Sequence, residues 1–234
     1  MSNTSSPEQT EQPAKSAKSY YRPIEDRLRF SRVAIDGALA NSDIQTALSE
    51  FGYDEQKLKE GRALLDEATE SVNQHKIKYG EQYESTKEIN DAVETADSAY
   101  KKALTVARIA LKGEKKAEAA LYLSGRRFQS YSRWLAMVQQ FFDNLLSNPD
   151  WIKKMEKYKF DQARLKAGKG LVETVKDLEI KQTQKKGEAQ DHTKAREKKL
   201  DELDEWVSDF KDISFAALDE RPQLLEKLGF VIPS

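Results

Sequence analysis

Chemistry needs particular side chains at particular spacings, and this chain offers few of either. It has two histidines, His75 and His192, and no cysteine. Disulfides, Cys-ligated zinc and thiol catalysis are therefore excluded. Neither histidine stands in the Glu-x-x-His arrangement that supplies carboxylate-bridged di-iron bundles with ligands. Glu188 lies four residues before His192, on the same helical face. Charged helices generate such pairs by chance, so both histidines read as solvated-face or seam positions and not as metal ligands. Gly168-Lys169-Gly170 lacks the G-x-x-x-x-G-K-S/T frame and the preceding strand of a phosphate loop. Asp and Glu are numerous, but none falls in an apolar setting that would raise its pKa for acid–base work. No nucleophile motif is present. No catalytic, cofactor-binding or metal-ligating residue is assigned, and the chain is expected not to be an enzyme.

The pattern that does suggest chemistry is a basic stretch over residues 101–170. There Lys112, Lys115, Lys116, Arg126, Arg127, Arg133, Lys153, Lys154, Lys157 and Lys159 surround Trp134, Phe141, Phe142 and Trp151. Of these, Lys115, Lys116, Arg126, Arg127, Arg133, Lys153, Lys154 and Lys157 are the candidate contacts for an anionic surface, lipid headgroups before nucleic acid. The competing and favoured reading makes the aromatics core and the lysines the solvated backs of their helices. A second candidate is the apolar ending Phe230-Val231-Ile232. It either folds back onto Trp206, Phe210 and Phe215 or docks on a neighbouring chain, and folding back is preferred.

The elements that must position these residues are helices. Charged residues make up 34% of the chain against 38% apolar, and only 10 Gly and 6 Pro punctuate 234 residues. That balance leans toward coiled-coil usage, while the aromatic residues provide material for a packed core. Residues 1–22, rich in Ser, Thr, Gln, Glu and Lys, read as a disordered tail. A first helix is expected from Pro23 and Ile24 to Ala40. Asn41-Ser42-Asp43 offers caps for a second over Ile44 to Phe51, closed by Gly52.

Asp54 then caps a long helix over 54–112. Its seven-residue ladder is Leu58, Leu65, Val72, Tyr79, Thr86, Val93, Tyr100 and Ala107. The companion row is Gly61, Ala68, His75, Gln82, Ile89, Ala96, Ala103 and Ala110, whose small members would let a partner approach closely. About eight heptads in one register is coiled-coil behaviour, over roughly 85–90 Å. Gly80 is the weak point, with Ser85-Thr86-Lys87-Glu88 behind it as an alternative capping box.

An aromatic, basic helical region covers 114–167, with one wide-faced helix over 114–147 and a restart at Trp151. Residues 166–170 read as a kink or joint before a second long helix over 171–212. That helix has Val175, Gln182, Ala189, Arg196, Leu203 and Phe210 in one row and Leu171, Leu178, Lys185, His192, Lys199 and Trp206 in the other. Asp219-Glu220-Arg221-Pro222 opens a last short helix that Gly229 stops.

The fold expected is all-α: an elongated helical bundle on two long antiparallel coiled-coil-like helices, with short helices packed at the ends. A single helical domain would span 23–234, its end unit formed by 23–53 with 203–234. Net charge by segment is −6 for 54–100, +10 for 101–170, +2 for 171–200 and −6 for 201–234. An antiparallel pairing would gather like charge at each end, in a dumbbell or a plain up-down bundle. Such a chain is expected to act as a structural or scaffolding protein, through self-association or by binding another helical protein. A homo-oligomer is the favoured state, membrane binding the alternative, and nucleic acid the weakest candidate at a net charge of −1. No run of about 18 apolar residues and no signal-peptide core over residues 1–18 are found, so a cytoplasmic location is expected.

Overall fold

A computed structural model describes residues 23–124 and 130–231. Eight helices and no strand occur among them: α1 (Ile24–Leu39), α2 (Ser42–Ser49), α3 (Glu55–Ala110), α4 (Lys115–Ala120), α5 (Tyr131–Leu146), α6 (Pro149–Glu156), α7 (Gln162–Ala217) and α8 (Gln223–Lys227). Side-chain oxygens that satisfy free amides set four of the eight starts. Asn41 accepts from the backbone N–H groups of Asp43 and Ile44, and Asn148 from those of Asp150 and Trp151. Asp54 accepts from Lys57 N–H at 2.9 Å, and Asp161 from Arg164 N–H at 2.8 Å. Helix exits at Gly52, Gly113 and Gly229 fall in the left-handed region, at φ 81°, 84° and 73°, where a residue without Cβ is unstrained.

α3 and α7 are 56 residues each. α3 runs unbroken through Gly80. Ser85 and Thr86 do not cap a restart; their hydroxyls donate to the Gln82 carbonyl one turn back. The joint expected at 166–170 is absent, and α7 starts earlier, after Asp161. Gly168 and Gly170 both lie within it; a Cβ on Gly168 would stand 2.7 Å from the Phe142 ring, so that site requires a small residue and not a bend, whereas Gly170 faces open space. Conversely, the single helix expected over 114–147 is two. α4 ends at Ala120, and Tyr122 takes a left-handed φ of 49°. Leu121 and Leu123 are buried by the turn that replaces the helix.

The described residues form two compact units, one within 1–70 and 198–234, the other within 71–197. In the first, α1, α2 and α8 pack around the start of α3 and the end of α7. Its core holds Ile35, Ile44, Leu48, Leu58, Leu65, Leu203, Phe210 and Leu228, all fully buried. Tyr53, Trp206 and Phe210 form a ring cluster with centroids 5.1–5.8 Å apart. Gly61 faces Trp206, and Glu67 meets Lys199 at 2.7 Å. Partner numbers thus fall along α7 as they rise along α3, so the two run antiparallel. Arg27 clamps Asp204 through Nε and Nη2 at 3.3 and 2.6 Å, and Arg62 pairs with Asp36.

In the second unit, α5 and α6 cover the end of α3 and the start of α7. Tyr100, Phe141 and Phe142 pack edge to face at 5.1 and 5.3 Å over Leu111, Leu121, Leu145, Leu165 and Val175. Antiparallel pairing holds here too: Lys78 meets Glu188, Glu81 meets Lys185, Thr86 meets Gln182, and Glu88 meets Lys181. The ladder is buried at Val72, Tyr100 and Ala107, but Tyr79 is 61% exposed.

Glycines of opposite consequence follow from this packing. Gly61→Ala would bring a Cβ within 2.4 Å of the Trp206 ring and is expected to cost about 1–3 kcal/mol of stability, as overpacking does. Gly80→Ala meets nothing within 4 Å and is expected to add up to about 1 kcal/mol through helix propensity. Urea unfolding of both variants measures the two effects.

Candidate functional site

The basic residues singled out from the sequence fall in the second unit. Lys112 follows α3, Lys115 and Lys116 open α4, and Lys153 and Lys157 lie on and just after α6; all five are exposed. None has an ion pair among the described residues. Three contacts hold these segments together. Lys154 on α6 pairs with Glu114 ahead of α4. Arg108 Nε donates to the Leu123 carbonyl at 2.7 Å, and Asn144 Nδ2 to that of Ala120 at 2.9 Å. Around them Ile109, Tyr122 and Tyr158 are 55%, 44% and 46% exposed, so the lysine surface carries apolar material of its own. Arg133 is exposed on α5. Arg126 and Arg127 lie outside the described residues.

The aromatics of the same stretch do not share that surface. Trp134, Phe141, Phe142 and Trp151 are at most 6% exposed, and Trp134 Nε1 donates to Asp97 at 2.9 Å. They are core, and the lysines stand on the outside of the helices that carry them.

At the C-terminal end, Phe230 is 3% exposed and packs against Phe30, Phe210 and Phe215 at 5.7–6.2 Å between ring centroids. This part of the apolar ending folds back, toward two of the three rings expected. Val231 instead is 87% exposed, and Ile232 lies outside the described residues.

Two features escaped the sequence reading. One is the polar seam in the second unit, where the heptad rows predict only that polar residues meet. Lys185 bridges Glu81 and Glu188 at 2.9 and 3.0 Å. Its hydrogen bond to Glu81, then that to Glu188, raises its pKa, and the same bonds lower the two carboxyls. His75 lies against Arg196 Nη1 at 3.2 Å and stacks on Tyr79. Desolvation first and the Arg196 charge second lower its pKa, against an opposing pull from Glu197, with His192 adding to the lowering. The other is a cavity of about 640 Å³ between α3, α5 and the start of α7, floored by Phe142. Its only sequence signal is the small residues Ala99, Ala103, Ala167 and Gly168.

Among the described residues no group of three or more His, Asp and Glu side chains could hold a metal ion, and no helix is long and apolar enough to cross a membrane. Compared with protein-family models, curated proteins and solved structures, the chain gives no significant match.

Charge is divided between the units. Residues 71–197 carry 25 basic and 18 acidic side chains, a net +7, while residues 1–70 and 198–234 carry 14 basic and 22 acidic, a net −8. On the acidic unit, Asp201, Glu205, Asp209 and Asp212 make an exposed stripe along α7.

Acid should act on the seam in two stages. His75 has a folded pKa below its usual 6.5, so the unfolded chain takes up its proton first and stability present above that pH is lost as pH falls through the folded value. Glu81 and Glu188, held below 4.5, give a second loss at lower pH by the same sign. Thermal unfolding between about pH 7 and pH 5 should show the first stage in the native chain and not in His75→Gln. Phe230→Ala should destabilise by about 3 kcal/mol, the usual result of emptying a buried aromatic site, checked by urea unfolding.

Proposed function

We propose that this chain is a non-catalytic scaffolding protein that assembles by bringing the basic unit of one copy onto the acidic unit of another. The observation that carries this reading is the division of a nearly neutral chain into units of net +7 and −8. Each copy offers both signs, so every contact uses one unit from each of two copies. When both contacts join the same pair, a closed two-fold dimer results. When they join different copies, the contact is heterologous and propagates.

Lys112, Lys115, Lys116, Lys153 and Lys157 are the side chains free to supply the basic face, and the exposed Glu205, Asp209 and Asp212 of α7 supply the acidic one. Exposed pairs contribute only about 0.2–1 kcal/mol each, and association costs at least about 4 kcal/mol. The contact is therefore weak, concentration-dependent and labile to salt. The exposed Tyr122, Tyr158 and Ile109 supply the apolar part such a contact needs. A cytoplasmic setting suits a chain without cysteine.

One observation favours a second reading. Unpaired lysines interleaved with exposed tyrosines also suit an anionic lipid surface, at about 1 kcal/mol per lysine. The buried aromatics of α5 and α6 would stay where they are, and binding would be peripheral.

Light scattering on a sizing column, at ionic strengths of about 0.02 M and 0.5 M, tests the first reading. Mass should rise with protein concentration in the dilute buffer and fall to a single chain in the concentrated one. Lys115→Glu, Lys116→Glu, Lys153→Glu and Lys157→Glu together should abolish the rise. Assembly that ignores salt would sink the electrostatic contact. A monomer in both buffers would remove self-association altogether, and flotation with anionic liposomes then decides the second reading.

A further inference from the structure

The cavity of the second unit has a feature that self-association leaves unused: it is charged at both ends, with Phe142, Leu165 and Leu171 between them. On α3 its wall runs from Asp91 and Glu94 through Thr95, Ser98 and Ala99 to Lys102. From Asp91 to Lys102 a helix rises about 16 Å. α7 runs antiparallel, so Arg164 stands with Lys102 at the basic end, and Leu171 lies level with Ser98, between the basic end and the two carboxylates. The Arg164 guanidinium lies 4.0 Å over the Phe160 ring and donates to the Lys159 carbonyl at 3.2 Å, which fixes its position beside the opening. Phe142, Leu165 and Leu171 are the apolar part of the middle.

Space for this cavity comes from residues without bulk. Ala99, Ala103, Ala167 and Gly168 line it, and Gly168 cannot be larger because Phe142 fills the place its Cβ would take. The volume, about 640 Å³, is that of small-molecule pockets. Asp91, Glu94 and Lys102 have no ion pair among the described residues. Charges left unpaired at opposite ends of such a trough discriminate by pattern: a simple anion meets the carboxylates at one end, and a simple cation meets Lys102 and Arg164 at the other.

We infer that this cavity binds an extended bipolar amphiphile, with an ammonium or similar cation at Asp91 and Glu94, a carboxylate at Lys102 and Arg164, and an aliphatic body of about 16 Å on Phe142, Leu165 and Leu171. The site is independent of the basic surface that serves assembly.

The probe is ω-aminododecanoate, whose chain spans that length, titrated calorimetrically into the full chain beside dodecanoate, dodecylamine and the short ω-aminohexanoate. The bipolar long chain should bind at least about tenfold more tightly than any of the three, as loss of roughly 1.4 kcal/mol implies. Lys102→Glu with Arg164→Glu should remove that preference. Ser98→Trp, a change at an exposed position, should block binding while leaving the unfolding midpoint in place. Equal affinity for dodecanoate and the bipolar probe would overturn the inference, as would undiminished binding to Ser98→Trp or no measurable binding of ω-aminododecanoate. None of these results bears on assembly, which the lysine variants test separately.

Discussion

Everything in this molecule depends on giving two long, highly charged helices somewhere to put a narrow apolar stripe. A single helix of this composition has too little to bury and no partner for it. Antiparallel pairing supplies the partner, yet a two-helix seam remains thin. In each unit short helices therefore widen it. α1, α2 and α8 do so around Leu58, Leu65 and Phe210, and α5 and α6 around Tyr100, Phe142 and Val175. Burying a Leu- or Phe-sized side chain contributes about 1.5–3 kcal/mol, so these clusters and not the charged stretches carry the stability.

The polar seam has a different task. Its pairs are exposed by a quarter or more of their side-chain area, and such pairs contribute little net energy. What they supply is register. Lys185 between Glu81 and Glu188, with Gln182 donating to Thr86 Oγ1 at 3.2 Å, fits one alignment of α3 against α7. A slip of one turn would set Glu81 away from Lys185. The large side chains at Tyr100 and Val175 forbid the slip by packing, and the ion pairs forbid it by charge.

Helix class, the two long elements and most caps were legible because they rest on local chemistry: Asn41, Asp54 and Asn148 announce their helices within three residues. The close approach at Gly61 was legible as a small residue in a heptad row, though not that Trp206 fills the gap. Gly168 misled where Gly80, read as a weak point within a continuous helix, did not. A glycine looks the same whether it bends a helix, faces open space or makes room for a ring, and only the partner decides. The break after Ala120 was hidden because Leu121 and Leu123 continue an apolar pattern. Ser124-Gly125 was the available signal, and the tertiary burial of both leucines is what makes the turn possible. The cavity was illegible, since its walls come from three helices and its charges from opposite ends of a shared groove.

Each unit also carries its own optical label. Trp206 is the single indole of the acidic unit; it is stacked on Phe210 at 5.1 Å, and its buried N–H has no acceptor among the described residues. Trp134 and Trp151 belong to the basic unit, and Trp134 holds a carboxylate at its ring nitrogen. An indole in a wholly apolar nest emits at shorter wavelength than one beside a charge. Intrinsic fluorescence thus separates the two units by colour, without any dye or tag, and lets their loosening be followed one at a time.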